Sequence, residues 1–318
     1  MKVSVFCTVF NHEKYLRTAL DGFIKQKTNF GYEVFVHDDA STDASASIII
    51  EYAQKYPDII KPILQKENQY SKGVRIFQDI IRPRMTGEYV ASCEGDDYWT
   101  DSKKLQKQAD FLDSNREYVA CVHNTKKIDL WRNRIYTMYG VEEDTDLTFS
   151  DAISDGGSCY HTSSLMYRIE YTDDQPNFAK KARGYGDYPL AIYLALSGKI
   201  RYLKDVMSIY RFGTESSWTR TTFTDMGKIC KIINSKIELL NEVNEYTSRA
   251  HESEINEAIF KHRYTLYEMQ GRYKDLRAYP YKRIYDKKPI KYKIKIYLKQ
   301  FLYRPYLVLR KKFYSKNA

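Results

Sequence analysis

No stretch of the 318 residues stays apolar for the ~18 positions that a membrane-spanning helix requires. The opening Met1-Lys2 leads into a short apolar-rich run that turns polar at Asn11-His12-Glu13, with no small-residue cleavage site, so neither a secretory leader nor a polytopic membrane protein is expected. Cysteine is scarce: Cys7, Cys93, Cys121, Cys159 and Cys230 are odd in number, scattered, and never paired as CxxC. That excludes a disulfide framework and a zinc ribbon. It leaves Cys7 and Cys93, in apolar strand-like runs, as small buried hydrophobes of a reducing compartment, and the cytoplasm as the expected location. Internal repeats are missing, which removes solenoids and propellers. The six histidines show no metal-ligand spacing, and GxSxG, HExxH and Walker A patterns do not occur. His12, next to Asn11, could lie near a bound nucleotide but reads first as a loop-surface or capping residue, and His37 reads as a packed strand residue.

What is present is a globular composition, 43% hydrophobic and 29% charged, with an uneven net charge of +10. Asp286 to Ala318 holds eleven Lys and Arg against one Asp, so the rest of the chain balances to zero. The body is therefore no polyanion binder by bulk charge, and any such role falls to the tail.

The first part of the chain alternates strand and helix patterns. Strands are expected over Lys2–Phe10, Tyr32–His37, Ile59–Leu64, Tyr89–Cys93 and Tyr118–His123, and helices over His12–Lys27, Asp43–Tyr56, Ser71–Arg82 and Asp101–Asn115. Continuous apolar strands between amphipathic helices predict an α/β fold with a mainly parallel sheet covered on both faces. The stretch 124–222 is less regular. It includes a short helix at Thr148–Ile153, a helix at Pro189–Ser197 closed by Gly198, and strands at Lys199–Leu203 and Met207–Arg211. From Phe223 the spacing of Ile229, Ile232, Ile233, Ile237, Leu240 and Val243 is helical, which places a soft boundary between a 1–222 domain and a 223–318 helical region.

Ligands of open α/β sheets bind beyond the carboxyl ends of the strands. Two acidic segments stand there. Asp38-Asp39-Ala40-Ser41-Thr42-Asp43 follows the second strand. Ser41, Thr42 or Asp43 would cap the next helix, but a cap needs only one carboxylate, and the adjacent Asp38-Asp39 pair suits a nucleobase imide or ribose. Glu94-Gly95-Asp96-Asp97 follows the fourth strand and packs three carboxylates around a glycine turn. That is a natural place for a hard divalent cation shared with substrate phosphates. A solvated acidic turn is the plainer alternative.

These segments resemble the nucleotide-sugar-dependent glycosyltransferases of family 2, which have a GT-A type Rossmann-like fold, and the resemblance runs from Val3 to about Thr219. Val3–Asn11 looks like the family's first strand and loop, Asp38–Asp43 like its DDxSxD segment, and Glu94–Asp97 like its DxD motif, with Glu94 where the family usually has Asp. Cys159–Arg168 resembles its TSSxxxR segment, Gly184–Pro189 its G-x-(E)D segment with Gly186 in place of Glu, and Met207–Gly213 its Y-R-x-H stretch with Gly213 in place of His.

The resemblance implies an inverting transfer from a nucleotide sugar, a UDP-sugar by expectation, to a hydroxyl of a glycan or lipid-linked acceptor in cell-surface polysaccharide synthesis. Thr8, Asn11, Asp38, Asp39, Glu94, Asp97 and Arg211 would face the nucleotide sugar, with Asp39 on uracil and Arg211 on diphosphate. Asp96 would hold Mg2+ or Mn2+, Thr162, Ser163 and Trp218 would lie on the acceptor side, and Asp187 would be the base. Asp187 also reads as a helix cap, where the helix dipole would lower its pKa. Glu215 could replace the missing His. A sugar nucleotidyltransferase would carry a Gly-rich phosphate loop where this chain has Thr8-Val9-Phe10-Asn11-His12. A third reading is a catalytically weakened scaffold of the same fold that binds membrane or glycan.

The tail interleaves Lys and Arg with Ile290, Ile294, Ile296, Tyr297, Leu298 and further apolar residues. It reads either as an interfacial segment on an anionic membrane, which would hold the protein at the inner face of the cell membrane, or as a terminal helix packed on the body. Nucleic acid is not an expected partner.

Overall fold

The computed structural model describes residues 1–154, 159–181, 187–215, 222 and 225–300. The alternating first half folds as β1 (Val3–Val9), α1 (Glu13–Ile24), β2 (Tyr32–Asp38), α2 (Ser45–Lys55), β3 (Ile60–Leu64), β4 (Tyr89–Ser92), β5 (Tyr98–Trp99), α3 (Lys104–Ser114) and β6 (Tyr118–Asp129). Next come β7 (Arg134–Thr137), β8 (Thr145–Leu147), α4 (Phe149–Ser154), β9 (Met166–Arg168), α5 (Asn177–Lys181), α6 (Asp187–Ser197) and β10 (Lys199–Phe212). The C-terminal helices are α7 (Met226–Tyr246), α8 (Glu252–Met269), α9 (Tyr273–Leu276) and α10 (Lys282–Lys287), and residues 290–300 are also helical.

One sheet runs β3-β2-β1-β4-β9-β6-β10-β5, with β7 beside β6 and β8 beside β10. Strands β3, β2, β1 and β4 are mutually parallel, as are β6 and β10, and the short β9 joins the two blocks by pairing antiparallel to both β4 and β6. The period-2 alternation of side chains sorts the core into two layers. Val3, Val5, Cys7 and Val9 of β1 and Val34 and Val36 of β2 face α1, α2 and α3. Phe35, Val90, Val122 and Tyr202 face the opposite layer with Ile81, Met85 and Leu194.

The helical C-terminus shares a core with the middle of the chain: Ile229, Ile233 and Ile237 of α7 and Ile255 and Ile259 of α8 pack with Tyr188 and Ile192 of α6.

Two expectations differ. The stretch Ser71–Arg82 is a π-type turn at Ile76–Ile81 followed by a 3-10 turn at Arg82–Arg84, because Pro83 cannot continue a helix and Asp79 takes both the backbone and the guanidinium N–H of Arg75. The two short strands near residue 205 are one, β10, whose register against β6 shifts between Leu203 and Ser208, so the bulge absorbs Lys204 and Asp205 without ending the pairing.

Candidate active site

The parallel strands β1, β2 and β4 end at the same edge, and their loops build the site. The β1–α1 and β2–α2 loops are stitched together. Asn11 and Ala40 both adopt left-handed backbone (φ 57° and 61°). The Asn11 N–H donates to Ser41 Oγ (2.9 Å), and its own Oδ1 accepts from the Thr42 N–H (2.8 Å). The capping is crosswise: Asp43 accepts from the Glu13 N–H at the start of α1 and the Ser45 N–H at the start of α2, both at 2.9 Å, while Ser45 Oγ accepts from the His12 N–H. Ser41 and Thr42 therefore hold Asn11 and do not cap α2. Burial works against the Asp43 charge, but the hydrogen bonds from Ser45 and Glu13 outweigh it and keep its carboxyl below the ordinary value.

Asp38 is buried; its Oδ2 accepts from the Ser41 N–H (3.1 Å) and its Oδ1 has no hydrogen-bond partner. Asp39, also buried, accepts one N–H on each oxygen, from Gln69 (2.7 Å) and Tyr70 (3.1 Å). Thr8 is half-buried within β1, and its carbonyl takes the Gly95 N–H (3.0 Å). A side chain at Gly95 would come within 2.9 Å of His12 Nδ1 and Val9 Cγ2, so glycine lets the acidic turn lie directly against α1.

In that turn the two aspartates are each gripped from β10 and its continuation. The Thr214 hydroxyl donates to Asp96 Oδ2 (2.7 Å), and His12 Nε2 lies 3.9 Å from the same oxygen. The Arg211 backbone N–H donates to Asp97 Oδ1 (2.8 Å), and its guanidinium donates to the Asp96 carbonyl (2.6 Å). That guanidinium sits over the rings of Tyr98 (4.3 Å) and Tyr15 (5.1 Å), which hold it by cation–π attraction. Asp97 Oδ2 is buried without a hydrogen bond, with His161 Nε2 3.7 Å away. His161 Nδ1 accepts from the Ser163 N–H (3.3 Å), which leaves the ring proton on Nε2, facing Asp97. Its ring stacks on Tyr210 (4.2 Å), and burial, with Lys127 adding, holds it neutral with a pKa lowered to about 3.

Glu94 and Asp187 keep exposed surface while the neighbouring chain partly desolvates their carboxyl groups. Burial, then the charges of Asp96 and Asp187, push Glu94 up to about 8. Asp187, at the start of α6, is thus within electrostatic reach of the acidic turn although 93 positions separate it from Glu94 in sequence. Asp187 itself is raised by burial, against the pull of Lys236, which reverses the lowering expected from its helix position. Asp97 is raised for the same reason, with Asp96 and Glu94 contributing.

Of the acceptor-side candidates, Thr162 opens a 3-10 turn and its carbonyl accepts from Ser92 Oγ, whereas Ser163 is fully buried, 2.9 Å from Ser208 Oγ. Ser163 thus enters the site through His161. Trp218 lies outside the described residues. Gly213 cannot hold the family's histidine: its φ is +90°, and a Cβ would lie 2.6 Å from Trp131 Nε1. Glu215 pairs with Lys14 (2.9 Å) at the surface.

Sequence reasoning missed Thr214, His161 and the Tyr15–Tyr98 clamp, and it placed His12 at the surface although the capping position at the start of α1 is the one it takes. His12 is buried under the acidic turn and is not a surface residue. A histidine directly before the Thr-Ser-Ser segment was the one visible signal. His37 is packed, as expected, beside Gln65.

The donor set suits a hard cation. Carboxylate oxygens are what Mg2+ and Mn2+ select, and a positive charge would relieve the crowding of Glu94, Asp96 and Asp97. No three His, Cys, Asp or Glu side chains among the described residues surround a metal ion unaided. That is compatible with sites in which one or two carboxylates are completed by water and substrate phosphate.

Comparison with known proteins agrees with this geometry. The family model of Glycosyl transferase family 2 matches residues 4–174. An uncharacterized protein of Mycobacterium tuberculosis is 36% identical over 230 residues, 71% of this chain and 63% of the relative, so the chain spans under two thirds of that relative's length. Among solved structures, TarS 1-349 of Staphylococcus aureus in complex with UDP-GlcNAc superposes with a TM-score of 0.60 at 19% identity, covering 84% of this chain and 73% of that one. A mannosyltransferase from Pyrobaculum calidifontis in complex with GDP-Man and Mn2+ gives 0.57 at 14% identity, covering 99% and 85%. At these identities the structural matches establish the fold: α/β, with a GT-A-like sheet and a helical C-terminal region.

Proposed function

The chain belongs to glycosyl transferase family 2, and from that premise we propose that it transfers a sugar from a nucleotide sugar to a hydroxyl of a glycan or lipid-linked acceptor, with inversion. The observation that carries this reading is the electrostatic coupling of Glu94 to both Asp96 and Asp187. It relates the acidic turn to an independent carboxylate from a distant part of the chain, as displacement of a nucleoside diphosphate by a hydroxyl would require.

The nucleobase and ribose would lie against the β2 end. Asp38 Oδ1 is buried without a hydrogen-bond partner, and Asp39 uses one hydrogen bond per oxygen although each oxygen can accept two. Asp96, with Glu94, would hold Mg2+ or Mn2+ together with the diphosphate. The ion's chemistry there is Lewis-acid neutralisation of the departing oxygens. Arg211, already aligned by Tyr15 and Tyr98, adds a fixed positive charge on the same side and loses little side-chain freedom when it engages phosphate. Asp97 anchors the Arg211 backbone, and the His161 ring faces its other oxygen at 3.7 Å.

Asp187 would accept the proton of the attacking hydroxyl. Its raised pKa makes it a stronger base than an ordinary surface aspartate. Attack from the Asp187 side, opposite the diphosphate, inverts the anomeric carbon.

The TarS complex with UDP-GlcNAc is the reason to try UDP-hexoses and UDP-N-acetylhexosamines first, with GDP-Man as the competing donor class. The test is nucleoside diphosphate release from a donor panel with and without Mn2+ or Mg2+, combined with thermal shift by each nucleotide. Metal-dependent release and stabilisation by one nucleotide class is expected. Absence of both across the panel would leave the scaffold reading.

A further inference from the structure

We propose that the outer face of the helix at residues 290–300, together with the preceding Lys-rich turn, is a docking surface for an anionic phospholipid bilayer. The inference does not depend on which sugar is transferred.

The helix has two apolar faces. One is used internally: Ile296 is fully buried against Tyr264, Tyr273, Leu276 and Tyr281, while the Tyr292 hydroxyl donates to Glu268 (2.7 Å) and Lys299 pairs with the same carboxylate (3.5 Å). These residues recur at helical spacing and hold the helix to α8 and α9. The other face points out. Ile290, Ile294 and Leu298 are 69%, 53% and 54% exposed, and their spacing of four residues aligns them in one stripe. Packing on the body cannot account for that stripe, because the body already holds the opposite side. The two readings of the tail, packed helix and interfacial helix, therefore describe two faces of one element.

Charge selects the occupant. On a helical wheel, Lys293 flanks the stripe on one side and Lys291 and Lys295 on the other, with Lys287 and Lys288 just before the helix. Aliphatic side chains between rows of lysine fit the boundary of an anionic bilayer, where apolar groups enter the acyl region and ammonium groups stay among headgroup phosphates. A soluble polyanion would engage the lysines and leave the stripe in water. No helix among the described residues is long and apolar enough to cross a membrane.

The test is flotation of the full chain with phosphatidylcholine vesicles, with or without phosphatidylglycerol. The chain should float with the anionic vesicles alone and detach as salt rises. Combining Ile290→Ser, Ile294→Ser and Leu298→Ser should lower the bound fraction at least about tenfold at unchanged melting temperature. Lys291→Gln with Lys295→Gln should shift detachment to lower salt. The proposal is overturned by equal flotation of the serine variant, which would indicate attraction by charge alone, or by no flotation of the parent chain. It is also overturned if the serine variant melts earlier, as a stripe covered by the chain's own residues would require. Loss of a dimer in the serine variant, as for a stripe covered by a second copy, would overturn it too.

Discussion

Two acidic segments follow parallel strands in this protein, and in sequence they look alike; in the structure they are opposites. Around Asp43 the loops spend backbone N–H groups on the carboxylate, and its pKa falls below the ordinary value. Around Glu94 and Asp97 the chain supplies carboxylates faster than donors, and their pKa values rise. A satisfied carboxylate braces the fold, whereas a crowded one stores a demand for positive charge that a ligand can meet. The aspartates at the β2 end fall between: Asp39 is held by backbone amides, and Asp38 keeps one oxygen buried without a partner.

The contrast predicts which substitutions damage chemistry and which damage stability. Asp187→Asn is expected to cut turnover by ~10²–10⁴ while nucleotide affinity stays within about twofold; steady-state rates and calorimetry would check it, and a fully active variant removes the base from the scheme. Asp96→Ala should weaken metal-dependent nucleotide binding by about 100-fold with little change of melting temperature, since relief of repulsion in the turn offsets the lost hydrogen bond from Thr214. A large stability loss there would mean that the acidic turn is structural after all.

His161→Ala should raise the apparent KM for the metal–nucleotide pair by about tenfold, as Asp97 loses its neighbour. His161→Gln, which can place an N–H near the position of Nε2, should restore most of it. Equal damage by both would count against the positioning role.

Asp43→Ala sharpens the other side. It should cost about 1–2 kcal/mol of unfolding free energy at neutral pH, with kcat nearly unchanged. Because the folded-state pKa of Asp43 is depressed, its contribution is complete above the ordinary value of 3.8 and is lost as the pH falls through the folded value. The gap between parent and variant should therefore close in acid denaturation below that pH.

Much of the architecture was legible because it follows from periodicity. The runs that became β1, β2, β3 and β4 match their expected bounds within one residue, and α1, α2 and α3 match theirs within three. The candidate acids were legible too, since a strand-end rule needs only the order of elements. What could not be read was which acid has partners. Asp43 and Asp97 differ by contacts with Glu13 and Ser45 in one case and with Arg211 and His161 in the other, and three of those partners lie at least 30 positions from the acid they serve. The direction of the Asp187 shift was missed for the same reason. A helix dipole is a local property, while burial by distant chain is not.

By itself the sequence settled the fold class, the family, and the inventory of acids, because strand and helix periods and short motifs are written in consecutive residues. Tertiary structure alone decided that Trp131 fills the space a side chain at position 213 would need, that Tyr15 and Tyr98 clamp Arg211, and that residues 290–300 present a second apolar face outward. Each of these depends on distance between segments remote in the chain, and burial, charge coupling and steric exclusion all act through that distance.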